Sequence, residues 1–204
     1  MSKNALIIFT RKPELGKVKT RLAKGVGQEK ALEIYIYLLK HSAEISSHVS
    51  AEKQVWYTTS IEKNDIWNDN IFKKYKQLDG DLGKKMKHAF FTNFNNEFEK
   101  VVIMGTDLLD IDTNTIENAF QQLDKHDVVI GPAEDGGYYL MGMNHFIPEV
   151  FDNVEWSTSE VLEKTLEKLK HKSVMLLDEK NDIDYKEDAL RHTELKGILS
   201  KDLN

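Results

Sequence analysis

The 204-residue chain contains no cysteine, which excludes a disulfide framework and any thiolate-held metal centre. Its 3 prolines and 11 glycines form no linker, so one domain over 1–204 is expected. No apolar run approaches the ~20 residues needed to cross a bilayer. The first apolar stretch, 5–9, is too short for a signal peptide and has no small-residue cleavage site behind it; a cytoplasmic protein is the expectation. The 7 histidines show no paired metal spacing. Positive charge is in deficit as well. The 28 Lys and Arg face 34 Asp and Glu, a formal net charge of -6, which weighs against nucleic acid as a partner.

Against that deficit one stretch reverses the sign. Residues 11–24 hold Arg11, Lys12, Lys17, Lys19, Arg21 and Lys24 against a single acid, Glu14. They follow Ala5-Leu6-Ile7-Ile8-Phe9, a continuous apolar run of the kind a strand covered on both faces requires. A strand, a cationic loop with Pro and Gly in it, and then a helix is how α/β proteins hold phosphate. Backbone N–H groups, ammonium and guanidinium converge there on one anion. A solvated basic loop is the bland alternative. A Walker-type loop is not, because Gly16-Lys17-Val18-Lys19-Thr20 lacks the first glycine at the required distance.

Periodicity supplies the frame. Ala31, Ile34, Tyr35, Leu38, Ser42 and Ile45 predict an amphipathic helix over 29–47. Gln54-Val55-Trp56-Tyr57-Thr58 reads as a strand, whereas the polar stretch through Asn70 has no clear period. Leu82, Met86, Ala89, Phe90 and Phe94 mark a helix, with Asp81 as its cap or as a nucleotide contact. Val101-Val102-Ile103-Met104 is the clearest buried strand. A helix capped near Asp112 or Thr113 follows it, with Ile116, Ala119, Phe120 and Leu123 on one face. Residues 127–131, 138–143 and 173–177 are β-prone. Ser157 and Glu160 predict a capping box opening a helix, and 181–190 the start of a C-terminal one. Trp156 is read as core or lid packing. Such alternation implies a mainly parallel sheet with helices on both faces.

Ligands of such sheets sit beyond the carboxyl ends of the strands. The basic loop, a loop carrying Asp107 and a loop carrying Glu134-Asp135-Gly136-Gly137 each follow a predicted strand, so the three are expected to share one edge. There Asp107 could hold Mg²⁺ against phosphate oxygens, or serve as a turn aspartate. Glu134 and Asp135 could bind a hydroxylated group or act as a base, with the glycines allowing close approach; a plain hairpin turn is the alternative. Asp182 and Asp184 could be first-turn carboxylates or supply a second Mg²⁺ ligand.

Together, 9–22 (Phe-Thr-Arg-Lys-Pro-Glu-Leu-Gly-Lys-Val-Lys-Thr-Arg-Leu), Gly105-Thr106-Asp107, 131–140 (Gly-Pro-Ala-Glu-Asp-Gly-Gly-Tyr-Tyr-Leu) and 182–188 (Asp-Ile-Asp-Tyr-Lys-Glu-Asp) resemble a small bacterial glycosyltransferase-like family of the nucleotide-diphospho-sugar transferase (GT-A) superfamily, some members being of an arsenosugar-biosynthesis type. More distantly the chain is similar to the molybdopterin-cofactor and phospholactate nucleotidyltransferases. The resemblance implies a Rossmann-like α/β/α sandwich. By it Arg11, Lys17, Lys19 and Arg21 contact nucleotide phosphates, and Asp107 and Asp184 hold Mg²⁺ or Mn²⁺. Asp135, Gly136 and Gly137 face the sugar or acceptor. The chain departs from the family in having Leu108-Leu109 after Asp107, and it has no Asp-x-Asp there, so a second ligand or the substrate phosphates must complete the metal site.

Three functions are open at this level. In the first, a sugar passes from a nucleotide-diphospho-sugar to a small acceptor, with Asp135 or Glu134 as base. In the second, a nucleoside triphosphate and a phosphorylated acceptor give a nucleotide diphosphate product and pyrophosphate. The density of cations in 11–24 favours this one, whereas the usual label of the family it resembles favours the first, which is the expectation. A nucleotide-binding regulatory module is the non-enzymatic alternative, and it would have no use for three acids at the same edge.

Overall fold

The computed structural model describes residues 3–200. The N-terminal apolar run forms β1 (Asn4–Thr10), and its alternation sets the layering. Leu6 and Ile8 enter the hydrophobic cluster on one face while Ala5 and Ile7 enter that on the other, as a pleated strand demands. The rest of the chain runs α1 (Thr20–Val26), α2 (Gln28–Ser47), β2 (Glu52–Tyr57), β3 (Phe72–Lys76), α3 (Leu82–Asn95), β4 (Lys100–Met104), α4 (Thr113–Gln122), β5 (Val128–Pro132) and β6 (Tyr138–Met143). After a 3-10 turn at Pro148–Phe151 come α5 (Val161–Lys168), β7 (Val174–Leu176), α6 (Lys186–Arg191) and α7 (Thr193–Leu199).

The strands form one seven-stranded sheet in the order β3-β2-β1-β4-β6-β5-β7. Only β6 runs against its neighbours; the other pairings are parallel. This is the α/β fold of mainly parallel type that the alternation predicts. From β1 the chain goes to β2 on one side, yet β4 pairs with the other side of β1. The strand order therefore reverses between β1 and β4, and a crevice opens there at the carboxyl ends.

Three local readings need correction, and one strand carries no clear sequence signal. The end of the basic loop is helical: Thr20–Val26 is α1, separated from α2 by Gly27 at φ 87. β3 shows little apolar character (Phe-Lys-Lys-Tyr-Lys) because it is an edge strand, where lysines deter pairing with other chains. Ser157 does not cap a helix. It lies at φ 67, and α5 begins at Val161 with Glu160 at its N-cap and no side-chain cap bond. Residues 181–185 are not helical; α6 starts at Lys186, and Asp188 in its first turn reaches back to accept from Tyr185 N.

Candidate functional site

A cleft of about 700 Å³ opens at the β1/β4 switch point. Its mouth is made by the loops after β1, β4 and β5 and by the segment before α6, so the three polar loops do meet at one edge. β1 ends at Thr10, whose carbonyl accepts bonds from Thr58 N (3.1 Å) and Thr58 Oγ1 (3.0 Å). Arg11 is held by Tyr35 of α2, whose hydroxyl accepts from Arg11 N and donates to Arg11 O, both at 3.1 Å. The periodicity of α2 places Tyr35 on the buried face, but a period says nothing of what a phenol hydroxyl reaches.

Lys19 is the centre of the site. Its side chain is 5% exposed, with Nζ 2.6 Å from Asp107 Oδ1 and 3.1 Å from Asp184 Oδ1. Arg21 Nη1 completes the group at 3.1 Å from Asp184 Oδ2. Burial pulls the Lys19 ammonium towards neutrality, but Asp107 and Asp184 outweigh it and hold its pKa above the ordinary lysine value. Lys19 sits at φ 46, a left-handed backbone that a lysine rarely adopts. The two acid loops are also joined through the backbone, Ile183 N donating to Asp107 O at 2.9 Å. Asp188 accepts from the N–H groups of Asp184 (3.1 Å) and Tyr185 (2.7 Å), and so fixes the turn that aims Asp184 at the cleft.

Asp182 lines the same cleft, and its Oδ1 is buried without a hydrogen-bond partner. Burial pushes its carboxyl up to about 7, helped by the nearby charges of Asp135 and Asp107. Its place two residues before Asp184 was visible in the sequence; its burial was not.

The expected residues separate into two groups. Arg11, Lys19, Arg21, Asp107, Asp135, Gly137 and Asp184 line the cleft. Lys17 does not: it is exposed and paired with Glu14 at 2.9 Å. Lys12 pairs with Glu62 at 3.2 Å. Glu134 also points elsewhere, bonded to Arg191 Nη1 at 2.9 Å and Asn181 Nδ2 at 3.2 Å. The 133–137 segment is indeed a hairpin turn, with Ala133 N donating to Gly137 O at 3.1 Å and Gly136 N to Ala133 O at 3.0 Å. Gly136 faces protein rather than cleft: at φ +87, a Cβ there would lie 2.1 Å from Ser159 O. Asp135 is exposed and anchored by Gly137 N, which donates to Oδ1 at 2.9 Å. Asp81 caps α3, accepting from Lys84 N at 2.8 Å. Trp156 packs near Phe151 and Tyr138, yet it also lines the cleft.

For a divalent cation, the donors are carboxylates. Asp107 and Asp184 already converge on one positive charge, and among the described residues no cluster of three His, Asp or Glu could hold a metal by itself. Carboxylate oxygens are donors of the kind that suit Mg²⁺ or Mn²⁺, which take one or two of them together with phosphate oxygens and water.

The fold and this edge place the chain among transferases with the nucleotide-diphospho-sugar transferase fold. It belongs to the bacterial family described as "Uncharacterized protein conserved in bacteria (DUF2064)", whose model matches residues 41–158. It is similar to the crystal structure of a candidate nucleotide-diphospho-sugar transferase from Desulfovibrio desulfuricans G20, at 31% identity and TM-score 0.85, covering 98% of this chain and 94% of that one. The 4-diphosphocytidyl-2C-methyl-D-erythritol synthase of Anaerococcus prevotii DSM 20548 shares the fold at 11% identity and TM-score 0.61, over 96% of this chain and 99% of that one. So does CMP:2-keto-3-deoxy-manno-octonic acid synthetase complexed with CTP, at 14% identity and TM-score 0.54, over 95% of this chain and 100% of that one. No functionally curated protein matches the sequence. Among the described residues no helix is long and apolar enough to cross a membrane.

Proposed function

We propose that the cleft binds a nucleotide-diphospho-sugar and that the chain transfers its glycosyl group to a small hydroxylated acceptor. The observation that carries this reading is the group Lys19–Asp107–Asp184–Arg21 at the β1/β4 switch point, a site that pairs cations for phosphate with carboxylates for a divalent ion. Glycosyl transfer is preferred to nucleotidyl transfer because half of the cationic loop turns away from the cleft: of the six basic residues in 11–24 only Arg11, Lys19 and Arg21 line it, with Lys85 of α3 as the fourth cation there. The 31% identical relative, itself a candidate nucleotide-diphospho-sugar transferase, supports the same choice.

In this mechanism Arg11, Lys19 and Arg21 bind the diphosphate and spread its charge as it leaves. Asp107 and Asp184 would hold Mg²⁺ or Mn²⁺, which supplies Lewis-acid stabilisation of the leaving diphosphate when bound. Asp135, free of any cationic side-chain partner among the described residues, takes the proton of the acceptor hydroxyl. The acceptor oxygen forms its bond to the anomeric carbon as the bond to the diphosphate oxygen breaks, and that electron pair departs with the nucleoside diphosphate. Glu134, committed to Arg191, takes no part.

The test compares nucleoside diphosphate release from a panel of nucleotide-sugars with pyrophosphate release from nucleoside triphosphates, each with Mg²⁺ or Mn²⁺. Pyrophosphate release alone would replace this reading with nucleotidyl transfer, and binding without turnover would leave a regulatory module. Asp107→Asn is expected to lower turnover by about 10²-fold or more; unchanged metal dependence would remove Asp107 from the metal site.

A further inference from the structure

We propose that Lys19 is a built-in counter-cation, bound to the two metal carboxylates in the free protein and exchanged onto phosphate when metal and nucleotide enter together. This rests on the reading of the cleft as a metal-dependent diphosphate site.

The argument begins with charge. Asp107, Lys19, Asp184 and Arg21 are linked in a chain of three ion pairs and sum to zero. A divalent ion arriving alone would leave the group doubly positive, with the Lys19 ammonium crowded against a second cation on the same oxygens. A diphosphate arriving alone would face two carboxylates whose neutralising partners it must divert. Arriving together, the two ligands cancel each other's surplus, the metal taking the carboxylates and the phosphate taking Lys19 and Arg21. Leaving one member of a partly buried ion pair without its partner is strongly unfavourable, so either ligand alone binds weakly.

Exposure gives the direction of the exchange. The Lys19 side chain is 5% exposed, whereas Asp107 and Asp184 are 45% and 33% exposed. The carboxylates therefore face the cleft and the ammonium lies beneath them, so an ion entering from solvent meets the acids first and Lys19 from behind. Having almost no contact with water, a displaced Lys19 must find another anion. The left-handed backbone at Lys19, φ 46, is a second mark of a constrained functional position. The consequence is reciprocal coupling: each ligand raises the affinity for the other by the same factor, typically about 5–150-fold.

The experiment measures Mn²⁺ binding to the nucleotide-free protein, and separately the binding of Mn²⁺-pyrophosphate, by isothermal titration calorimetry. Lys19→Met is expected to bind Mn²⁺ alone at least about fivefold more tightly than wild type and Mn²⁺-pyrophosphate at least about fivefold more weakly. A purely structural lysine would not produce opposite signs in one variant. Lys19→Arg, which keeps the charge, should hold Mn²⁺ affinity near the wild-type value and covers the case in which the Met variant does not fold. Unchanged or weaker Mn²⁺ binding by Lys19→Met overturns the proposal. If Asp107→Asn abolishes Mn²⁺ binding while Lys19→Met leaves it unaltered, only the exchange is refuted. If neither wild type nor variant binds Mn²⁺, the exchange falls together with the reading beneath it.

Discussion

Gly136→Ala is the substitution with the most sharply determined outcome. The backbone there sits at φ +87, a region in which an L side chain costs about 1–2 kcal/mol. The added Cβ would also stand 2.1 Å from Ser159 O and 2.7 Å from Ser159 C and Cα. These atoms are backbone and cannot swing aside, and Gly136 O accepts the bond from Leu162 N at 2.9 Å that ties the turn to the start of α5. Forcing extra volume into such a contact costs typically about 1–3 kcal/mol. The two contributions together predict a loss of about 2–5 kcal/mol, or roughly 4–20 °C in Tm for a domain of this size. Urea unfolding of wild type and variant, in the absence of ligands, reads the loss directly. Gly137→Ala is the control: its Cβ would approach only the exposed Asp135 side chain at 3.1 Å, and its loss should stay within about 1 kcal/mol. If the two variants lost equal stability, or Gly136→Ala lost less than about 1 kcal/mol, the assignment of Gly136 to the protein side of the turn would be wrong and its expected role beside the sugar would return.

Two further outcomes follow from the cleft. Tyr35→Phe removes both bonds to the Arg11 backbone and should cost about 1–3 kcal/mol in denaturant unfolding; nucleotide affinity should weaken alongside, and intact affinity would separate Tyr35 from the phosphate loop. Asp182→Asn should stabilise the metal-free protein in EDTA. An acid whose folded pKa is about 7 against an ordinary 3.8 penalises the fold fully above pH 7, and the penalty disappears as pH falls towards 3.8. The gain should be about 1–4 kcal/mol at pH 8 and vanish near pH 4, as followed by unfolding across pH; a gain independent of pH would refute the burial of an ionisable carboxyl.

Much of the architecture was legible because it rests on local pattern. The apolar runs of β1 and β4, the 3.6-residue period of α2 and the Asp112 cap of α4 are properties of neighbouring residues, and each appears where its pattern lies. Patterns failed where tertiary context outweighed them. β3 is lysine-rich because nothing pairs with its outer edge, and the Ser157–Glu160 spacing of a capping box is overridden by the left-handed backbone at Ser157. Tyr35 read as one more apolar position on a helix face, though its hydroxyl is what holds Arg11.

The sequence by itself determined that a cationic loop and several acids follow buried strands of an α/β sheet, because strand ends and charge are written in consecutive residues. Only the tertiary structure decided which of those charges meet. Lys19 reaches Asp184 across 165 positions of chain, and Asp182 becomes a half-buried carboxyl with one oxygen buried unpartnered, while Lys17 and Glu134 turn away to Glu14 and Arg191. Charge has a sign in sequence but a partner only in space, and which partner each group meets follows from the strand order that places β1 beside β4.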